Sequence, residues 1–113
     1  MRLGQNLLQQ GAAGGGGGEQ FIAVAHSSSS PYVTAYPWSA SGFGTKFANP
    51  STLPAGRGLG VAFSPSGDAI AVAHNPSPNV TAYPWSASGF GTKFANPSTL
   101  PPSNGNGVAF SET

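Results

Sequence analysis

His26 and His74 are the only histidines, and they stand at equivalent points of a sequence that repeats itself. Two imidazoles related by a repeat could converge on a metal ion. Neither has a carboxylate or thiolate beside it in the repeat, however, and the chain contains no cysteine, so no metal site is expected. General acid–base or triad chemistry needs paired carboxylates, or a histidine with an orienting carboxylate. The repeated body holds only Asp68, in a Ser64-Pro65-Ser66-Gly67-Asp68 turn where an Asp commonly bonds nearby backbone. The expectation is a protein that is not an enzyme and uses no cofactor. Gly56-Arg57-Gly58-Leu59-Gly60 has the look of an anion nest with an arginine beside it, but it runs into a strand pattern rather than a helix. Trp38, Trp85, Tyr36 and Tyr83 are the residue types of sugar-stacking platforms, and equally of packing between sheets. Asn79-Val80-Thr81 is a formal glycosylation sequon, whereas Asn49, Asn75 and Asn96 are each blocked by a following proline.

The elements that must position these residues come from a duplication. Residues 33–54, VTAYPWSASGFGTKFANPSTLP, recur without change as residues 80–101, a period of 47. The match extends outward: residues 21–26 answer residues 69–74, and Gly60–Ser64 answers Gly107–Ser111. The copies span about 21–66 and 69–113 within a repeat region, 19–113, preceded by an arm, 1–18. In that arm Leu3, Leu7 and Leu8 fit one face of a short helical turn, too brief to hold alone. Residues 11–18, GAAGGGGG, have the composition of a flexible linker and lack the Lys-Ser/Thr of a phosphate cradle.

Composition narrows the function classes. Charged residues are 6% of the chain, against roughly 25% in an ordinary soluble domain. Four basic residues and a net charge of +1 exclude an electrostatic nucleic-acid binder, which needs clustered Lys and Arg. The amino-terminal ten residues lack the apolar core of a secretory signal, and no apolar run approaches the ~20 residues of a membrane-spanning helix.

Within the copies the pattern is period two, broken by Gly and Pro, which predicts an all-β chain with no long helix. The expected strands are Phe21–Ala25, Tyr32–Trp38, Phe43–Ala48, Val61–Ser64 and Ala69–His74, then a second set ending in Val108–Phe110. On the second of these, Thr34, Tyr36 and Trp38 share one face and Val33 and Ala35 the other. Pro37 cannot donate to a ladder, so a bulge or a non-bonded side is expected there. The 49–60 connection is expected to be an ordered loop, pinned to the core by Leu53.

The run Gly60-Val61-Ala62-Phe63-Ser64-Pro65-Ser66-Gly67-Asp68-Ala69-Ile70-Ala71-Val72-Ala73 resembles the opening of WD-repeat and related β-propeller blades, and Asn79–Trp85 resembles the family's third strand, which ends in Trp. A period of 47 also suits a four-stranded blade. The likeness covers Phe21 to Phe110, but the family's Asp between the second and third strands, and its Gly-His before the first, are missing. It implies two blades with strands in the order B-C-D, A-B-C-D, A, and a repeat core containing Trp38, Trp85, Phe63 and Phe110. Near-identical tandem copies are also similar to repeats of phage particle and bacterial surface proteins. Function is then expected to be binding or structural, with a lectin-like propeller as the alternative. The copies differ mainly at residues 27–32 against 75–79, and at 55–59 against 102–106. In blades of this kind these loops share a face, which makes Tyr32, Arg57 and Asn104, with His26 and His74, the expected contacts for a protein or glycan ligand. Two blades cannot close a ring, so self-association into a cyclic trimer, or next a tetramer, is also expected.

Overall fold

The computed structural model describes residues 19–112. It is all-β: among the described residues there is no helix, and seven strands form two antiparallel sheets. The three-stranded sheet takes β1 (Gln20–Ala25), β2 (Val33–Ser39) and β3 (Gly42–Phe43) in that order. The four-stranded sheet takes β4 (Gly58–Phe63), β5 (Ala69–His74), β6 (Val80–Ser86) and β7 (Gly89–Phe90). The second sheet therefore repeats the first with one strand added in front. The arm and its leucines lie outside the described residues.

Burial is centred on β5. Ile70 to His74 are buried without a break, so both faces of this strand are covered, as a strand flanked on each side in its sheet permits. Ala71 and Ala73 are small and Ile70 and Val72 branched, which gives the sheet one thin and one thick face. The β4–β5 hairpin closes through the Ser64 N–H to Ala69 O at 2.9 Å and the Gly67 N–H to Ser64 O at 2.9 Å. Gly67 takes φ +79 there, a conformation open to glycine at no steric cost. Asp68 Oδ1 accepts the hydroxyls of Ser66 at 2.7 Å and Ser64 at 3.1 Å.

Backbone contacts cluster into two units. One joins residues 19–22 to Tyr36–Lys46; the other joins Ala23–Ala35 to residues 47–112. In the first, Phe43 stands edge-on to both Tyr36 and Trp38, each at 5.1 Å between ring centres. The second contains the whole second copy together with the loops and the Val33–Ala35 half of the first.

Four strand expectations need correction. β4 begins at Gly58, inside the connection expected as a loop over 49–60, because Gly58 and Gly60 pair with His74 and Ala73. The strand expected over Phe43–Ala48 stops at Phe43. Gly44 donates to Pro37 O and Phe47 donates to Ala35 O, so three steps on the outgoing chain face two on β2, a bulge. Pro37 is its cause, because it offers no N–H to continue the ladder, and its ring leaves room only for glycine opposite: a Cβ at Gly44 would lie 3.0 Å from Pro37 Cβ. Pro84 and Gly91 repeat the arrangement. Tyr32 lies outside β2, in a turn at φ +71. Val108–Phe110 is not a strand, although Val61–Phe63 of the same sequence pairs with β5.

Candidate functional site

Antiparallel order brings the end of β1, the starts of β2 and β4, the end of β5 and the start of β6 to one end of the second unit. The loops that differ between the copies meet there. His26 N–H reaches back to Tyr32 O at 3.0 Å, and Tyr32 N–H bonds Ser29 O at 3.3 Å. Gly58 N–H then bonds His26 O at 2.9 Å, and the carbonyl of Arg57 accepts the Asn75 N–H at 3.1 Å, linking the loop of the first copy to that of the second. The second copy repeats the pattern: His74 N–H to Asn79 O, Asn79 N–H to Pro76 O and Gly105 N–H to His74 O. Asn79 occupies Tyr32's place at φ +73, and its Nδ2 donates to Pro101 O at 3.1 Å. The glycines at 58 and 105 are required by contact, since a Cβ on either would strike the carbonyl of Tyr32 or of Asn79.

The expected contact residues are therefore distributed as two related groups. His26, Tyr32 and Arg57 belong to one; His74 and Asn104 belong to the other, in which Asn79 takes the place of Tyr32. Arg57 and Asn104 are exposed and hold equivalent positions beside Gly58 and Gly105. Gly56-Arg57-Gly58 does not form a free anion nest: Gly58 N–H is committed to His26 O, and Gly56 and Gly58 are buried. The Asn79 of the sequon is 7% exposed and already bonded, which removes it as a surface acceptor.

Each histidine is held by a threonine on the neighbouring strand. His26 Nε2 lies 2.8 Å from Thr34 Oγ1, and His74 Nε2 lies 2.7 Å from Thr81 Oγ1. The pairs differ in depth. His74 is fully buried, and its Nδ1 has no hydrogen-bond partner among the described residues. Burial holds the His74 pKa below the usual imidazole range, with the backbone of Pro76 and Val80 pulling weakly the other way. The threonines were not singled out in the sequence. The signal was there, because Thr34 and Thr81 fall at matching positions one strand away from the matching histidines. No group of three or more His, Cys, Asp or Glu that could hold a metal occurs among the described residues.

The expected repeat core is divided by the structure. Trp85 is 4% exposed and meets the rings of Phe63, Phe47 and Phe90 edge-on at 5.0–5.1 Å. Trp38, of identical local sequence, is 40% exposed and is not a core residue. Phe110 is half-buried and outside any strand. Leu53 does not pin its loop, being 37% exposed; Pro50 and Pro54 are buried instead, and Thr52 O accepts the Tyr83 hydroxyl at 2.7 Å. Burial pushes the Tyr83 pKa well above the usual phenol range.

Comparison with protein-family models, with curated proteins and with solved structures returns no match.

Proposed function

We propose that the chain is a non-enzymatic binding and structural module, made of two β-propeller-type blades, whose loop end recognises the surface of another protein. One observation carries this reading: the 22-residue block 33–54 recurs without change at 80–101, while the two loop segments that vary converge, bonded to each other, at one end. A scaffold that holds its framework constant and varies a contiguous set of loops has the layout of a recognition surface. Arg57 and Asn104 give that surface different chemistry at equivalent points, a fixed cation at one and a neutral amide at the other. A lectin-like function would use the same end. The exposed tryptophan that could stack on a sugar, Trp38, is at the other end of β2 from these loops, which favours protein over glycan.

The test places a photo-crosslinking residue at position 57, at 104, or at 68 at the far end of β5, and exposes each protein to its native source material. Capture of one defined protein from 57 and 104, and not from 68, is the expected result. Equal capture from all three positions, or glycan-array binding that follows the loops, would overturn it.

A further inference from the structure

Residues of the first copy pack on the second copy's aromatic face, and the residues of that contact named here each exist twice. Phe47 lies edge-on to Trp85 at 5.0 Å, with Gly89 against the same ring, and Thr52 O takes the Tyr83 hydroxyl. The counterparts of the covered residues are Trp38, Gly42 and Tyr36. Trp38 is 40% exposed, Phe43 beside it 61%, and a Cβ at Gly42 would meet nothing within 4 Å. The counterparts of the covering residues are Phe94 and Thr99. Phe94 is 49% exposed, and Pro97 and Pro101 are exposed where Pro50 and Pro54 are buried. The molecule thus presents both halves of a contact it has already made once.

A second observation points to the same occupant. Val61, Ala62 and Phe63 pair with Val72, Ala71 and Ile70 to complete the four-stranded sheet. Among the described residues the three-stranded sheet has no counterpart of that strand and β1 is its edge, with Ile22, Ala23 and Val24 where Ile70, Ala71 and Val72 stand in β5. The same Val-Ala-Phe recurs at 108–110, outside any strand, following a Gly105 that bonds His74 as Gly58 bonds His26. Gly60 and Gly107 approach closely, a Cβ on Gly60 lying 2.9 Å from Gly107 Cα, so this segment runs beside β4.

We infer that the Tyr36–Trp38–Phe43 face and the Ile22–Val24 stretch of edge strand β1 are the docking site for the second copy in another molecule of this chain. Phe94 of one chain packs on Trp38 of the next, Thr99 O accepts the hydroxyl of Tyr36, and Val108, Ala109 and Phe110 pair with Val24, Ala23 and Ile22. Both contacts run in the same direction, from the carboxy-terminal copy of one chain to the amino-terminal copy of its neighbour. The interface is heterologous and propagates until it closes. Six blades from three chains is the closed form we assign, with eight from four as the next. This inference rests on the contact between copies and not on the reading of the loop end.

The mass of the purified chain in solution, at micromolar concentration, is expected to be three times the 11.3 kDa chain mass, or four times for the larger ring. Trp38→Arg and Phe94→Arg, both at exposed positions, should each give a folded monomer by circular dichroism. Each retains one intact half of the contact, and the halves are different. Mixing the two variants should therefore restore association, stopping at a 1:1 pair, because the remaining contact sets Arg against Arg. A monomeric wild type, a variant of unchanged mass, or a mixture that stays monomeric would each overturn the assignment.

Discussion

Residues 33–43 and 80–90 have the same sequence and opposite burial. In the first copy Val33 and Ala35 are fully buried, while Trp38 and Phe43 are exposed. In the second, Thr81, Tyr83 and Trp85 are buried, and Val80 and Ala82 only partly so. A strand presents alternate residues to opposite faces, so each copy has one covered face, and it is a different one. The local conformation is nevertheless the same: the hairpin register, the Pro-induced bulge and the positive φ of Gly42 and Gly89 recur. What separates the copies is only what lies on top. The pair is a natural double experiment in which sequence is constant and environment varies.

The comparison is broken most decisively at tryptophan. Trp85→Ala removes a ring buried against three phenylalanines and should cost about 3–5 kcal/mol of unfolding free energy, read by urea denaturation. Trp38→Ala should leave stability at low protein concentration within about 1 kcal/mol of wild type, since an exposed side chain has little burial to lose. Equal losses at the two sites would show that Trp38 is covered in the isolated chain.

Threonine comes next. Thr81→Val leaves both nitrogens of buried His74 without a partner and should cost about 1–3 kcal/mol, the price of an unsatisfied buried polar group. Thr34→Val, at a partly exposed pair where water can replace the hydroxyl, should cost about 1 kcal/mol or less. The turn glycines sharpen the contrast further. Gly42→Ala and Gly89→Ala both force alanine into a left-handed conformation, for about 1–2 kcal/mol each. Gly89→Ala also brings a Cβ to 3.1 Å from the Phe47 ring, so it should exceed Gly42→Ala by on the order of 1 kcal/mol in the same denaturation assay.

The smallest expected effect is a pH dependence. Burial lowers the folded-state pKa of His74, so the unfolded chain binds more protons in the window between that value and the unfolded value of about 6.5. Stability is full above about pH 6.5 and falls as pH drops through the window, levelling off below the folded-state pKa. His74→Gln should abolish this slope in a series of thermal melts.

The linkage at Asp68 is separate and lies at lower pH. Hydrogen bonds from Ser66 and Ser64 lower its pKa, so its contribution is present above the usual aspartate range and is lost as pH falls through the folded value.

Much of the scaffold was determined by the sequence alone. Alternation of β-formers with Gly and Pro breakers is a local signal, and it placed β1, β2, β5 and β6 to within a residue or two. The Ser64–Asp68 hairpin followed from turn chemistry, and the irregularity at Pro37 from its missing N–H. The repeat itself located the loops that vary. Other features needed the tertiary structure, because their cause is contact between distant residues. Nothing local distinguishes Trp38 from Trp85, or Phe47 from Phe94; the neighbouring copy does. The replacement of Leu53 by Pro50 and Pro54 as the buried loop residues and the lack of a strand at Val108–Phe110 have the same origin. A strand exists only where a second strand receives its hydrogen bonds, and a face becomes core only where another surface displaces its water. Sequence sets which residues share a face; the fold decided which face is covered.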